Sequence, residues 1–201
     1  MRIGIDYRML SCGRITVNRG MGRYTQQQLR EVLRLGAEHD YVLLLPPGHD
    51  PALLLPEIAA AANVARVELP PELATPRRGD APQDVLRHAA RLSGILADLE
   101  LDLYHATTTF LDTYPSSFWR CDSSALVATH YDLIPLIYPH RYFGPESQAE
   151  RAGYMRSARA LRDADRLIAI SDFVRGEAIL RLGIARDRIE VAHPVADPRF
   201  R

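Results

Sequence analysis

Apolar positions along the chain fall into two alternating kinds of segment. Seven short runs, RIGIDYR (2–8), YVLLLPP (41–47), VARVEL (64–69), LDLYHA (101–106), SALVATH (124–130), DRLIAIS (165–171) and RIEVAH (188–193), are continuously apolar or alternate. Runs of that length without a helical period predict strands, and the continuous ones suit strands buried on both faces. Between them stand segments with helical spacing. In residues 24–40, Leu29, Val32, Leu33 and Leu35 are predicted to share one side, with Gly36 as the C-cap. A short helix is predicted over 52–62. A helix over 84–99 carries Val85, Leu92, Leu96 and Leu99 on one stripe. A long helix runs from Pro145 to about Ala164 with Tyr154, Ala158 and Leu161 inward, and a last one over 171–183 ends at Gly183. Strands alternating with helices predict an α/β fold, a Rossmann-like parallel sheet with helices on both faces. Such sheets bind ligands at the carboxyl ends of their strands. Three polar loops fall there: after the first strand, after LDLYHA and after SALVATH.

Composition changes this picture little. The 201 residues are 47% hydrophobic and 25% charged, and the net charge of zero excludes a broad attraction to nucleic acid. All 25 basic residues are arginine, which excludes a lysine nucleophile or Schiff base. Cys12 and Cys121 form no disulfide framework and no CxxC pair, in keeping with a reducing, cytoplasmic setting. No apolar run approaches ~18 residues, so neither a membrane span nor a leader is expected. The segments PPELATPRRGDAP (70–82) and TTTFLDTYPSSFWRC (107–121) read as irregular loops. His105, His130, His140 and His193 lack metal-ligand spacing, so no metal is expected.

Four stretches carry candidate chemistry. GMGRYT (20–25) lacks the third glycine of a dinucleotide fingerprint and stands far from the first strand, which disfavours a nicotinamide site. Two glycines before a helix still let backbone N–H groups approach an anion, and Arg23 offers a bidentate contact. A solvated turn is the competing reading. In THYDLIPLIYP (129–139), His130 is a candidate base, and Asp132 either orients a hydroxyl or caps a turn. In AISDFVR (169–175), Ser171 or Asp172 reads first as a helix N-cap and second as a ligand contact. Arg156, Arg159, Arg162 and Arg166 are expected on one side of the long helix, a surface that is either solvated or in contact with an anionic membrane.

IGIDYRML, GMGRYTQQQL, LDLYHATTTF, HYDLIPLIYP, DADRLIAISDFVRGEAILRLGI and RIEVAHPVADPRF together, in this order, resemble the N-terminal domain of the retaining, mannosyltransferase-like GT-B glycosyltransferases of family 4. The resemblance implies the N-terminal half of a GT-B glycosyltransferase. Two Rossmann-like domains would face a cleft, the N-terminal one holding the acceptor and the C-terminal one the nucleotide-sugar, with no metal and no cofactor. Residues 1–194 would be the acceptor-side domain and 195–201 the start of a linker, the C-terminal donor domain being absent. Gly20, Gly22, Arg23 and Tyr24 are implied to lie in a cleft loop, with Tyr131 and Ser171 as further substrate contacts and Asp132 and His130 as catalytic groups. The family often reads His-Asp where this chain has Tyr131-Asp132, so His130 stands one place early and would point to the other side of its strand. The expected function is bacterial: transfer of a sugar such as mannose to a glycan or lipid-linked acceptor in polysaccharide biosynthesis, in the cytoplasm or peripherally at the inner face of the membrane. The isolated half is expected to be inactive. The alternatives are a stand-alone, non-catalytic binding or scaffold domain and a single-domain Rossmann nucleotide-binding enzyme.

Overall fold

The computed structural model describes residues 1–9, 13–73, 82–108 and 123–195. Residues 109–121 of the expected segment 107–121, both cysteines and nearly all of the expected linker therefore lie outside the described residues, as do most of 70–82 and the side chain of Val85. Each of the seven apolar runs forms a strand: β1 (Arg2–Asp6), β2 (Asp40–Leu45), β3 (Val64–Glu68), β4 (Leu103–Ala106), β5 (Ala125–His130), β6 (Arg166–Ala169) and β7 (Ile189–Val191). All neighbours pair in parallel in the order β3-β2-β1-β4-β5-β6-β7. The order reverses between β1 and β4, the position at which a doubly wound sheet opens a crevice at its carboxyl edge.

Alternation along the strands feeds two cores. Ile3, Ile5 and Tyr7 pack with Tyr41, Leu43 and Leu45 beneath α1 (Gly13–Val17), α2 (Gly20–Leu35) and α3 (Pro56–Ala60), which contribute Val17, Leu29 and Ile58. On the opposite face Val42, Leu44, Tyr104, Leu126 and Leu167 meet α4 (Pro82–Asp98), α7 (Gln148–Ala160) and α8 (Asp172–Leu182). Leu92 and Leu96 of α4, Ala158 of α7, and Val174, Ala178 and Leu182 of α8 are their buried positions. Two short helices, α5 (Ile134–Ile137) and α6 (Pro139–Tyr142), connect β5 to α7. Gly183 closes α8 in the left-handed region (φ 65°), where a side chain would be strained.

Three expectations are corrected. Val32 and Leu35 are 36% and 71% exposed, because the inner face of α2 runs through Gly22, Thr25, Gln26, Leu29 and Leu33. Its polar members hide that face from a hydrophobic pattern. The GMGRY stretch is not a loop before the helix but the first turn of α2 itself, which begins with the Arg23 N–H donating to the Arg19 carbonyl at 2.9 Å. Finally, α7 ends at Ala160, so Arg162 lies in a short 3₁₀ turn and Arg166 in β6, apart from Arg156 and Arg159 on the helix.

The carboxyl end of β1 is locked by a buried ionic group. Asp6 and Arg8, 2% and 4% exposed, form a forked pair, with Nη2 to Oδ2 at 2.5 Å and Nε to Oδ1 at 2.9 Å. The hydroxyl of Tyr104 on β4 donates to Asp6 Oδ2 at 2.7 Å. Burial works against the charge on Arg8, but the Asp6 carboxylate beside it reverses that effect and holds the guanidinium more firmly protonated than usual. Removing one member strands the other in a dry interior. Asp6→Ala is expected to destabilise the fold by about 3–5 kcal/mol, read as a lowered urea midpoint. A loss below about 1 kcal/mol, the scale of an exposed pair, would contradict this account.

Candidate functional site

The site is built where β4, β5 and the first turn of α2 converge. Tyr131 follows β5 directly, and its hydroxyl lies 2.9 Å from Thr25 Oγ1 on α2 and donates to the Thr107 carbonyl after β4 at 3.2 Å. Thr107 in turn donates through Oγ1 to the Asp6 carbonyl at 2.6 Å, so three strand ends and one helix are joined. Tyr24 stacks edge-on against Tyr131, with ring centroids 5.6 Å apart and planes at 80°. Its hydroxyl donates to the Ala192 carbonyl just past β7 at 2.9 Å. On the other side of the turn Gln26 Nε2 donates to the Leu53 carbonyl at 2.7 Å. The first turn of α2 thus lies across the carboxyl edge of the sheet, held at both flanks.

The two glycines of that turn differ in kind. A Cβ on Gly22 would meet the Val17 carbonyl oxygen at 2.0 Å, so α1 and α2 approach as closely as they do only because residue 22 has no side chain. Around Gly20 nothing stands within 4 Å, and the residue is exposed. Arg23 is exposed and Tyr24 half-buried. Among Gly20, Gly22, Arg23, Tyr24 and Tyr131, the geometry therefore brings the last two together and gives Gly22 a packing reason of its own.

Asp132 accepts from the Ile134 N–H at 2.9 Å, an Asx turn that starts α5, and it lies close enough to Tyr154 to help burial push that phenol up. Ser171 caps α8 by accepting from the Val174 N–H at 3.2 Å. The adjacent Asp172 Oδ2 stands 3.6 Å from His193 Nε2. His130 is wholly buried and both of its ring nitrogens lack a hydrogen-bond partner. The one-place offset is the reason: along β5, Leu126, Ala128 and His130 share the side of the larger core, and Tyr131 is the residue beside α2. Burial lowers the His130 pKa to about 4, and His105, bonded through Nε2 to Thr129 Oγ1 at 2.9 Å, is likewise lowered to about 4 by burial. Both imidazoles are neutral near pH 7. Burial raises the phenols of Tyr24 and Tyr131. Among the described residues no cluster of His, Cys, Asp or Glu is arranged to hold a metal ion, and no helix is long and apolar enough to cross a membrane.

Residues that a reading of the sequence passes over are Thr25, Thr107, Asp6 and Arg8. Their signal is position: the DYR after the first strand and the TT after the fourth occupy the carboxyl edge, where unpaired strand ends need polar partners.

A seven-stranded parallel sheet with this order, layered by helices and with its polar cluster at the carboxyl edge, defines a Rossmann-like α/β domain of the kind expected for the N-terminal half of a GT-B glycosyltransferase. The family model described as Glycosyltransferase Family 4 matches residues 18–200, and the chain belongs to that family. No curated protein matches it. Similar solved structures include a sucrose-phosphate synthase from Thermosynechococcus elongatus (TM-score 0.60, 15% identity, 98% of this chain and 48% of that one). LpCGTa in complex with UDP has a TM-score of 0.54 at 13% identity over 99% of this chain and 55% of its own. A glycosyltransferase from Rickettsia africae has a TM-score of 0.52 at 13% identity over 98% and 43%. The chain thus spans about half the length of these structures.

Gly22→Ala is expected to destabilise the chain by about 1–3 kcal/mol through overpacking and to weaken protection from hydrogen exchange in the first turn of α2. Gly20→Ala, in open space on a helix, should be neutral or stabilising by up to about 1 kcal/mol. Equal behaviour of the two variants would remove the packing role of Gly22. A second expectation concerns acid. With a folded pKa of about 4 against an ordinary 6.5, His130 takes up its proton in the unfolded chain first, so stability is complete above pH 6.5 and falls toward pH 4. His130→Leu should flatten that acid limb by about 3 kcal/mol in urea titrations run across the range. An unaltered limb would show that His130 does not carry it.

Proposed function

We propose that this chain is the acceptor-side domain of a retaining glycosyltransferase, working with a donor-binding domain across a cleft at the carboxyl edge of the sheet. The observation that carries this reading is the first turn of α2, clamped over that edge by Tyr24, Thr25 and Tyr131 within a family 4 chain. Its helix N-terminus and Arg23 suit the diphosphate of a nucleotide-sugar. The share of about half of each similar structure supports a second domain. The donor would be a nucleotide-sugar, with mannose a candidate sugar, and the acceptor a glycan or lipid-linked saccharide. No covalent nucleophile is required of this half. Its contribution is to hold the acceptor hydroxyl and the leaving diphosphate in register. The chain alone would be inactive, and the two-domain enzyme would need no metal. A non-catalytic binding domain is the second reading, favoured by the burial of His130 and the capping duties of Asp132 and Ser171.

The test joins this chain to a donor-binding domain and measures transfer from radiolabelled UDP- and GDP-sugars, with the product anomer read by NMR. Transfer with retained configuration that persists in EDTA is expected, and none from the 201-residue chain by itself. Asp132→Ala should lower turnover by more than about tenfold with the fold intact. Asp132→Asn keeps an acceptor for the Ile134 N–H. Full activity in the asparagine variant would reduce Asp132 to a capping residue, and full activity in the alanine variant would remove it from the mechanism. Absence of transfer from every donor would favour the binding-domain reading.

A further inference from the structure

The first turn of α2 is weakly capped by its own sequence: Arg19 stands at the N-cap in extended conformation, and its side chain makes no capping bond. The turn is held instead by other elements. Gly22 packs against α1, Thr25 and the Tyr24 ring meet Tyr131, and the Tyr24 hydroxyl donates to the Ala192 carbonyl. The last of these contacts reaches a stiff arm. β7 is a three-residue strand at the edge of the sheet, paired with β6, and the chain continues from it without a turn. The Ala192 N–H still donates to the Ala169 carbonyl at 2.9 Å, one residue beyond the strand. His193 precedes Pro194, which restricts it to extended backbone, and its Nε2 stands 3.6 Å from Asp172 Oδ2 on α8. A shift of this arm is therefore passed to the Ala192 carbonyl rather than absorbed at residue 193.

We propose that Tyr24 is a positioning residue through which the arm after β7 sets the first turn of α2. Its hydroxyl follows the Ala192 carbonyl, and its ring rests edge-on against Tyr131 as a fulcrum. Its backbone belongs to the turn that carries Gly20, Gly22 and Arg23. A rigid phenol suits this work, since it has few torsions in which a displacement is lost. The resemblance to family 4 implies a substrate contact for Tyr24 instead. Its one hydroxyl proton, however, is committed to Ala192 and is not available to a sugar or a phosphate. The consequence for binding rests on the sugar-transfer reading: the turn whose N–H groups and Arg23 suit a diphosphate takes its place from residues encoded at the other end of the domain. The coupling itself does not rest on that reading.

The test is a double-mutant cycle on the chain, read by hydrogen exchange at the amides of residues 23–26 in α2. Tyr24→Phe keeps the ring against Tyr131 and removes the bond, whereas Ala192→Gly leaves the carbonyl in place and loosens the arm. Each variant should speed exchange at these amides by about threefold or more, and the double variant no more than the stronger single one. Amides of β5 should keep their rates throughout, which separates this effect from a general loosening of the fold. In the chain joined to a donor-binding domain, both single variants should raise the KM for the nucleotide-sugar by about fivefold, more than they alter kcat. Unchanged exchange in either single variant, or effects that add in the double variant, would overturn the proposal. A raised KM in Tyr24→Phe without one in Ala192→Gly would overturn it too and assign the hydroxyl to the substrate. Absence of transfer by the joined chain would count against the sugar-transfer reading alone, since the exchange cycle decides the coupling without a ligand.

Discussion

The candidate site depends on one hydroxyl. Tyr131 Oη reaches the side chain of α2 at Thr25 and the backbone after β4 at Thr107, and its ring is the surface against which Tyr24 rests. A parallel sheet leaves its strand ends at the carboxyl edge without ladder partners, so those ends need polar groups from elsewhere. Here the need is met by a short chain of hydroxyls, from Tyr131 to Thr107 to the carbonyl of Asp6. The position of α2 over the edge follows from that chain, and the character of any ligand space beneath it follows from α2.

Polar groups at the ends of neighbouring strands are satisfied to different degrees. Asp6 bonds both Arg8 and Tyr104 and holds β1 against β4 at the reversal of strand order. His105 finds Thr129 on the next strand. His130, next to Thr129 on β5, finds no partner. Its imidazole is kept neutral by the apolar core around it, so the residue that looks most like an acid–base group adds acid sensitivity to the fold.

Much of the fold is legible because burial on both faces leaves an uninterrupted apolar signature. YVLLL and SALVATH carry it, and each becomes an interior strand of the sheet. What resists reading is polar burial. Thr25 and Gln26 occupy the inner face of α2 through hydrogen bonds to Tyr131 and Leu53, partners that are distant in sequence and leave no period. Val32 and Leu35 then mimic a stripe while facing water. Ser171 and Asp132 are legible as local caps because their partners lie two or three residues on. Gly22 reads as a phosphate-type glycine from its spacing, and only the proximity of the Val17 carbonyl reveals the contact it makes.

The bond from the Tyr24 hydroxyl to the Ala192 carbonyl joins residues 168 positions apart. A contact of that span closes nearly the largest loop available to this chain and forms only after the sheet has brought its last strand into place. During synthesis, α2 leaves the ribosome long before β7, so a partly made chain carries the GMGRY turn without its outer tether. The turn and its outer tether are thus encoded far apart. A chain without β7 keeps the contacts of Tyr24 and Thr25 with Tyr131 but loses the outer tether of that turn.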